Sequence, residues 1–158
     1  SRIKTVSGAL LEKPYKKARK AGKALDTMTP EARHDLRIEM KKVRNAVMFL
    51  HGLYDHPGKK DFRKDLTTIH KRFGYLNDVE VGRKLIATLK RVPVKSARRK
   101  EALKRGADFV RDYHDKKSAL AAGELLNDWH KFENAVPFWQ DRKRNVARGH
   151  GAPKGKNR

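Results

Sequence analysis

The sequence predicts an all-α protein, an antiparallel four-helix-type bundle followed by a disordered basic tail. Apolar residues recur every three to four positions along four separate segments, which is the spacing of one helix face. No run of four or more alternating apolar residues indicates a strand. Four helices of this length joined by short loops fit one bundle. We therefore expect a bundle over residues 1–140 and a tail over residues 141–158.

The first helix is predicted over about residues 10–26, with Pro14 in its first turn, where proline is tolerated. The second helix has a clear beginning, because Thr29 is a natural N-cap and Pro30 suits the first helical position. Its apolar stripe covers four turns: Leu36, Met40, Val43, Val47 and Leu50. A Pro-Gly pair at residues 57–58 ends this segment.

The third helix carries the apolar stripe Phe62, Leu66, Ile69, Phe73 and Leu76. We expect a bend or a new N-cap at Asn77-Asp78 and a continuation that Pro93 ends. The fourth helical region begins near Ser96, and Gly123 is expected to interrupt it. Its apolar positions are Leu103, Ala107, Val110 and Ala121, then Leu126, Trp129 and Phe132. The segment at 137–139, Pro-Phe-Trp, is predicted to be an apolar plug.

The chain is strongly basic, with 40 Lys and Arg against 18 Asp and Glu and a formal net charge of +22 over 158 residues. Residues 1–140 alone carry 33 Lys and Arg against 17 Asp and Glu, a surplus of +16, so the charge is not a property of the tail. A folded domain with this surplus attracts polyanions. Nucleic acid, polyphosphate, acidic lipid surfaces and acidic proteins are therefore the candidate partners.

Several other classes are excluded or disfavoured. No apolar run has the length of a membrane span. The absence of cysteine excludes disulfides and thiolate metal sites, and it is consistent with a reducing compartment. Because the sequence begins at Ser1 without Met, we expect a fragment or a processed product of a longer chain.

The most informative segment is HDLRIEMKKVRNAVMFL, residues 34–50. His34, Arg37, Lys41 and Arg44 follow one another at helical spacing, which places four basic groups on one stripe over three turns. At about 100° per residue, this stripe lies roughly 110° from the apolar stripe, at the border of the packed face. A groove lined by one sign of charge binds a complementary polyion, and Arg and Lys suit phosphate oxygens. The alternative is that these side chains only reach from the bundle edge into solvent.

Four further basic residues could border the same groove. Arg63 and His70 flank the apolar stripe of the third helix, and His114 and Lys117 lie on the apolar side of the last. For the last pair, the alternative is a core histidine that is hydrogen-bonded to the backbone and a lysine that reaches solvent. Asp78 is interpreted as a helix cap or as the partner of an arginine rather than as a catalytic acid.

Three segments resemble the CHAD family, which is named for histidines in an α-helical domain. Residues 34–50 resemble its H-x-x-R-I-x-x-K-x-x-R signature, and FGYLNDVEVGRKL, residues 73–85, is similar to its L-G-x-L-N-D segment. WHKFENAVPFW, residues 129–139, is similar to its W-x-x-F…P-F-W ending. The order and content of these segments match the C-terminal half of the family best. The resemblance implies a helical bundle that binds inorganic polyphosphate, and position by position it indicates His34, Arg37, Lys41 and Arg44.

The sequence departs from the family in having one such helix, whereas family members contain two related halves. The resemblance therefore implies half of a two-bundle domain that pairs with a second CHAD-like half or forms a homodimer. It also implies a cytoplasmic protein, associated with polyphosphate granules. The triphosphate-processing domain that often accompanies the family has no counterpart in these residues.

Two other function classes compete with polyphosphate binding. Sequence-nonspecific nucleic-acid binding would use the same positive potential, but the sequence has no recognised nucleic-acid-binding signature. Tyr75, Trp129 and Trp139 could stack on bases, although their spacing favours core packing. His34-Asp35 is similar to the dyad of metal phosphohydrolases, but no second histidine precedes it. We therefore expect a protein that is not an enzyme, with no catalytic residue, no metal ion and no cofactor.

Overall fold

The computed structural model describes residues 2–141, and from residue 142 onward the predicted tail lies outside the described residues. Within residues 2–141 the chain forms four α-helices and no strand, which confirms the all-α class. The helices are α1 (Arg2–Ala21), α2 (Pro30–Leu50), α3 (Lys59–Leu89) and α4 (Ala97–Asn134). Short 3₁₀ segments, Gly22–Thr27 and His51–Leu53, follow α1 and α2.

Each helix packs against the next one along the chain, α1 on α2, α2 on α3 and α3 on α4. The connections contain only seven or eight residues, so successive helices run antiparallel. α3 and α4 have 31 and 38 residues, whereas α1 and α2 have 20 and 21. At 1.5 Å per residue, α3 and α4 are therefore about 15–25 Å longer than α1 and α2.

The core is rich in aromatic rings that meet at the end of the bundle where α1, α3 and α4 converge. The Tyr15 ring lies edge-on to Phe132 and to Trp139, with centroid separations of 5.4 and 5.3 Å. Trp139 Nε1 donates a hydrogen bond to Glu12 Oε2 at 2.9 Å, so its one polar atom is paired. Phe138 and Trp139 are both buried, as the predicted apolar plug requires.

Three predicted helix limits are wrong. α1 begins at Arg2 rather than near residue 10, and Pro14 lies inside the helix rather than in its first turn. Burial of Leu11 and Tyr15 on one face stabilises the helix across this proline, so tertiary packing outweighs its local cost.

α3 does not bend at Asn77-Asp78, and Gly123 does not interrupt α4. Leu76 and Val79 are buried on either side of Asn77-Asp78, and this packing continues the helix. Asp78 is an exposed residue in the helix interior, so it is not a cap.

The predicted stripe in the first half of α4 is also only partly packed. Leu103 and Val110 are 36% and 41% exposed. The N-terminal end of α2, at Pro30, lies beside residues 73–80 of α3. The part of α3 after residue 80, and the first half of α4 that packs on it, therefore extend beyond α2. These residues have one helix partner instead of two, and their apolar side chains stay in contact with solvent.

Candidate anion-binding seam between α2 and α3

The beginning and the buried face of α2 determine where its basic residues lie. The Thr29 hydroxyl accepts a hydrogen bond from the Ala32 N–H at 3.2 Å, so the predicted N-cap is present. The predicted apolar stripe is buried in the core: Leu36, Met40, Val43 and Val47. With that face inward, Arg37 and Arg44 are half-buried at its border, and His34 and Lys41 are exposed just outside it.

α3 presents its own basic residues to this border. Burial of the stripe from Phe62 to Leu76 turns Arg63 and His70, both half-buried, to one side of that stripe. His70 interacts electrostatically with Arg37, Arg44 and Lys41 of α2. Burial of the His70 ring lowers its pKa below the ordinary value of 6.5, and repulsion by these three cations lowers it further.

One hydrogen bond joins the two helices at the N-terminal end of α2. His34 Nδ1 lies 2.9 Å from Asn77 Oδ1. A small recess opens at this end. Its lining residues are Pro30, Arg33, His34, Phe73, Leu76, Asn77 and Glu80.

The row of basic residues between α2 and α3 continues beyond Arg44 to residues that the sequence analysis did not select. Burial lowers the pKa of His51, and Arg63 and Lys59 of α3 lower it further by repulsion. The Lys59 ammonium group also donates to the Tyr54 carbonyl at 2.6 Å. His51 follows Arg44 by seven residues, as Arg44 follows Arg37, and this heptad repeat could have identified His51 from the sequence.

We call this row of basic groups the α2–α3 cationic seam. Its members are His34, Arg37, Lys41, Arg44, His51, Lys59, Arg63 and His70. From His34 to His51 it extends over about 25 Å at 1.5 Å per residue.

Several polar side-chain nitrogen atoms of the seam are buried and have no partner within residues 2–141. Of the eleven buried side-chain N and O atoms without a hydrogen bond in residues 2–141, five belong to the seam. They are the Nε atoms of Arg37, Arg44 and Arg63 and the Nδ1 atoms of His51 and His70. Because a buried polar atom without a partner costs about 1–3 kcal/mol, this concentration makes the seam a candidate binding site.

Several acidic side chains of the bundle form ion pairs with basic residues outside the seam. Arg72 pairs with Glu124 and Asp128 of α4, and Arg83 pairs with Asp115. Glu39 of α2 pairs with Lys17 and Lys42, at 3.1 and 2.9 Å. Among the described residues, no ion pair involves a member of the seam. The positive charge of the seam is therefore not neutralised by that part of the protein.

His114 and Lys117, the other two predicted site residues, lie on α4. The His114 ring contacts Tyr113 at a centroid distance of 5.4 Å, and its Nδ1 is buried without a partner. The Lys117 ammonium group lies 4.5 Å from the Tyr113 ring centre. A hydrogen bond with Tyr113 raises the pKa of Lys117. No contact found in residues 2–141 joins either residue to the seam, so their part in binding stays a prediction.

The described residues contain no group of three His, Asp or Glu side chains placed to hold a metal ion. None of their helices is both long and apolar enough to cross a membrane.

Comparison with known proteins identifies one family. The family model described as CHAD domain matches residues 1–87, which include α1, α2 and most of α3. This match lies in the N-terminal part of the chain and does not bear out a closer likeness to the C-terminal half of the family. The Trp-containing segment at 129–139 lies outside it. No curated protein and no solved structure matches the chain. Because the matched region is more than half of the 158 residues and contains the whole seam, the chain belongs to the CHAD domain family.

Proposed function

We propose that the α2–α3 cationic seam binds inorganic polyphosphate and does not catalyse its breakdown. The observation that carries the proposal is the set of buried, unpaired N–H groups on Arg37, Arg44 and Arg63. A chain of phosphates offers acceptor oxygens at many points along its length, so one ligand can reach all three. Hydrogen bonds between charged groups are about twice as strong as neutral ones, which favours an anionic acceptor over water.

The shape of the seam supports an extended ligand. Its cations follow two helices side by side over about 25 Å rather than surrounding a single point. Charge repulsion among them disfavours the free state, and an anionic chain relieves it. Binding also releases the counterions that accompany the ligand and the protein, so we expect a strong dependence on salt concentration. Membership of the CHAD family supports the same ligand, because the resemblance implies polyphosphate binding.

Nucleic acid is the main alternative ligand for the same charges. Trp129 and Trp139, two of the three rings that could stack on bases, are 2% and 8% exposed and pack in the core. The third, Tyr75, is half-buried. A seam that offers cations with few accessible rings favours contacts to phosphate over contacts to bases. Competition between polyphosphate and single-stranded RNA of equal total charge separates the two ligands.

A charge-reversal experiment tests the location of the site. Arg37→Glu with Arg44→Glu should weaken binding of long-chain polyphosphate by at least about a hundredfold, because two charge-assisted hydrogen bonds are each worth about 1.5–3 kcal/mol. The matched control is Arg98→Glu with Arg105→Glu. These residues are exposed, lie on α4 and have the same seven-residue separation.

The control makes the same change in net charge outside the seam, so it should weaken binding only by the loss of general attraction, a few-fold. Far-ultraviolet circular dichroism should be unchanged in both double variants. Equal losses in the two double variants would show that the protein binds polyphosphate through its total charge and would overturn the assignment to the seam.

The absence of catalysis is tested separately. The purified protein with polyphosphate and Mg²⁺ or Mn²⁺ should release no phosphate above the rate without protein. Release that is abolished by His34→Ala or by Asp35→Ala would replace the binding proposal with an enzymatic one.

Two wider parts of the proposal follow from the family. A second CHAD-like half or a second copy of the chain would extend the binding surface. Cytoplasmic location and association with polyphosphate granules complete the proposal. Sedimentation with and without polyphosphate tests the pairing.

A further inference from the structure

His70 lies in the middle of the seam, and the charges that act on it from the described part of the chain are positive. From α2, three cations face it: Arg37, Arg44 and Lys41. On its own helix, Arg63 precedes it by seven residues on the same face. α4 packs on the other side of α3, where Glu124 and Asp128 pair with Arg72.

The protonation state of the ring follows from these surroundings. The Nδ1 atom is buried and has no hydrogen-bond partner. Burial and the three facing cations both disfavour a positive charge on the ring, so the pKa of His70 lies below its ordinary value of 6.5. In the free protein at neutral pH the ring is therefore mostly neutral and does not add a full positive charge to the seam.

An anion in the seam reverses the sign of the local field. Phosphate oxygens close to Arg37 and Arg44 would offset the charges that repel a proton from His70, and a doubly protonated ring could donate to those oxygens itself. We propose that binding of polyphosphate to the seam is coupled to the uptake of one proton by His70, so that the protein binds polyphosphate more tightly as the pH falls. The proposal rests on the proposed function and adds its regulation.

The coupling has a definite sign and limit. Neutral imidazole and a proton from the solvent give imidazolium, and no other bond forms or breaks. If the bound state holds more protons than the free state, affinity increases as pH decreases, by at most about tenfold per pH unit for one proton. The increase occurs between the pKa of His70 in the bound protein and its lower pKa in the free protein. Interior phosphates of a long chain are strong acids and stay ionised throughout this range.

Proton uptake can be measured directly by calorimetry. The full chain is titrated with long-chain inorganic polyphosphate at about pH 6.5, the ordinary pKa of histidine, in two buffers with different ionisation enthalpies. The difference in binding heat gives the number of protons taken up. We compare the wild type with His70→Gln, and use His130→Gln, an exposed histidine on α4, as the matched control.

The wild type and the His130→Gln variant should take up more protons than the His70→Gln variant, by an amount between zero and one proton that is set by the pKa of His70 in the free and bound states. Uptake at any group other than the substituted histidine is common to the compared proteins and cancels. At about pH 8, where histidine is neutral, the His70→Gln variant should bind within about threefold of the wild type. Equal proton uptake in the wild type and His70→Gln, with both proteins binding, would overturn the coupling and leave the proposed function intact. Failure of the wild type to bind polyphosphate at any pH would overturn the proposed function itself.

A second measurement does not depend on a variant. The ring proton resonance of His70 is followed through a pH titration by NMR, with and without polyphosphate. The midpoint should move to higher pH in the complex. An unchanged midpoint in a protein that binds would also overturn the coupling.

Discussion

His34 and Asn77 form a hydrogen bond between the first turns of α2 and the middle of α3, with Nδ1 and Oδ1 2.9 Å apart. The amide oxygen can only accept, so Nδ1 carries the hydrogen and donates it. In the neutral ring, Nε2 is then left without a hydrogen. The bond holds the first residue of the cationic stripe against the opposite wall of the seam. It also gives Asn77 a role that its sequence position at an expected helix break did not indicate.

Two substitutions of Asn77 distinguish the effect of orienting the His34 ring from the effect of placing a negative charge beside it. Asn77→Ala should lower the free energy of unfolding by only about 0.5–1 kcal/mol, because the hydrogen bond is exposed to solvent. Polyphosphate affinity should fall a few-fold as the His34 ring loses its fixed position. Asn77→Asp keeps an acceptor but introduces a carboxylate that competes with phosphate for His34, so its affinity should fall further. Binding assays at constant salt, together with urea unfolding, measure both effects. An equal loss of affinity in the two variants would contradict this account of Asn77.

Two glycine substitutions should have opposite effects on stability. A Cβ atom at Gly22 would lie 1.9 Å from the Trp129 ring, which is buried in the core and cannot move aside. Gly22→Ala should therefore cost about 2–3 kcal/mol of unfolding free energy through overpacking.

At Gly123, inside α4, a Cβ atom would meet nothing within 4 Å. Gly123→Ala should raise the unfolding free energy by about 0.5–1 kcal/mol, because alanine favours the helix. Urea denaturation decides both, and stabilisation by Gly22→Ala would contradict the close contact with Trp129.

The free protein should become less stable as the pH falls from about 7 to 5. Histidine in the unfolded chain takes up protons near its ordinary pKa of 6.5, whereas the pKa values of folded His70 and His51 are lower. Between these values the unfolded state binds more protons, so the free energy of unfolding decreases with decreasing pH.

The pKa of Glu39 is lowered by its hydrogen bond to Lys42, so the stability that this carboxylate contributes is lost only at more acidic pH.

Urea unfolding across this pH range measures the effect. His70→Gln should reduce the slope relative to the wild type, and His130→Gln should leave it unchanged. A free protein whose stability increases on acidification over this range would contradict the assignment of lowered pKa values to the seam histidines.

A shortened chain tests the contribution of the basic C-terminus. Residues 142–158 contain seven Lys and Arg. The chain should be ended after Asp141 rather than before it, because His56 Nε2 lies 3.3 Å from Asp141 Oδ2. The shortened chain should keep most of its affinity for polyphosphate at physiological salt, and its affinity should depend less steeply on salt. Fluorescence anisotropy at several salt concentrations measures both quantities. Loss of nearly all binding would place the site in the C-terminal residues.

The four helices could be predicted because each has a continuous apolar stripe, but three of their limits could not. Pro14 and Gly123 are local signals against a helix, yet both lie inside one. Their cost is about 1–3 kcal/mol, which burial of neighbouring side chains such as Leu11 or Leu125 can offset. The exposure of Leu103 and Val110 could not be predicted from the sequence either, because the spacing of apolar residues along α4 does not show how far α2 extends beside them.

The candidate site divides in the same way. Arg37 and Arg44 were indicated by their position beside the buried stripe of α2, and the structure places both at its border. His51 and Lys59 were missed, because they lie in a 3₁₀ segment and in the first turn of the next helix. His114 and Lys117 had similar spacing signals, but their contacts are with Tyr113.

By itself the sequence determined that the protein is helical, that it is basic throughout and that four basic residues, among them the cations Arg37, Lys41 and Arg44, follow one edge of α2. These properties depend on the 100° rotation per residue and on composition, which need no knowledge of neighbours. Only the tertiary structure decided that His70 faces those cations and that the acidic side chains pair with Arg72, Arg83 and Lys17 instead. Contacts between helices depend on how their surfaces interlock, and the spacing along a single helix leaves that choice open.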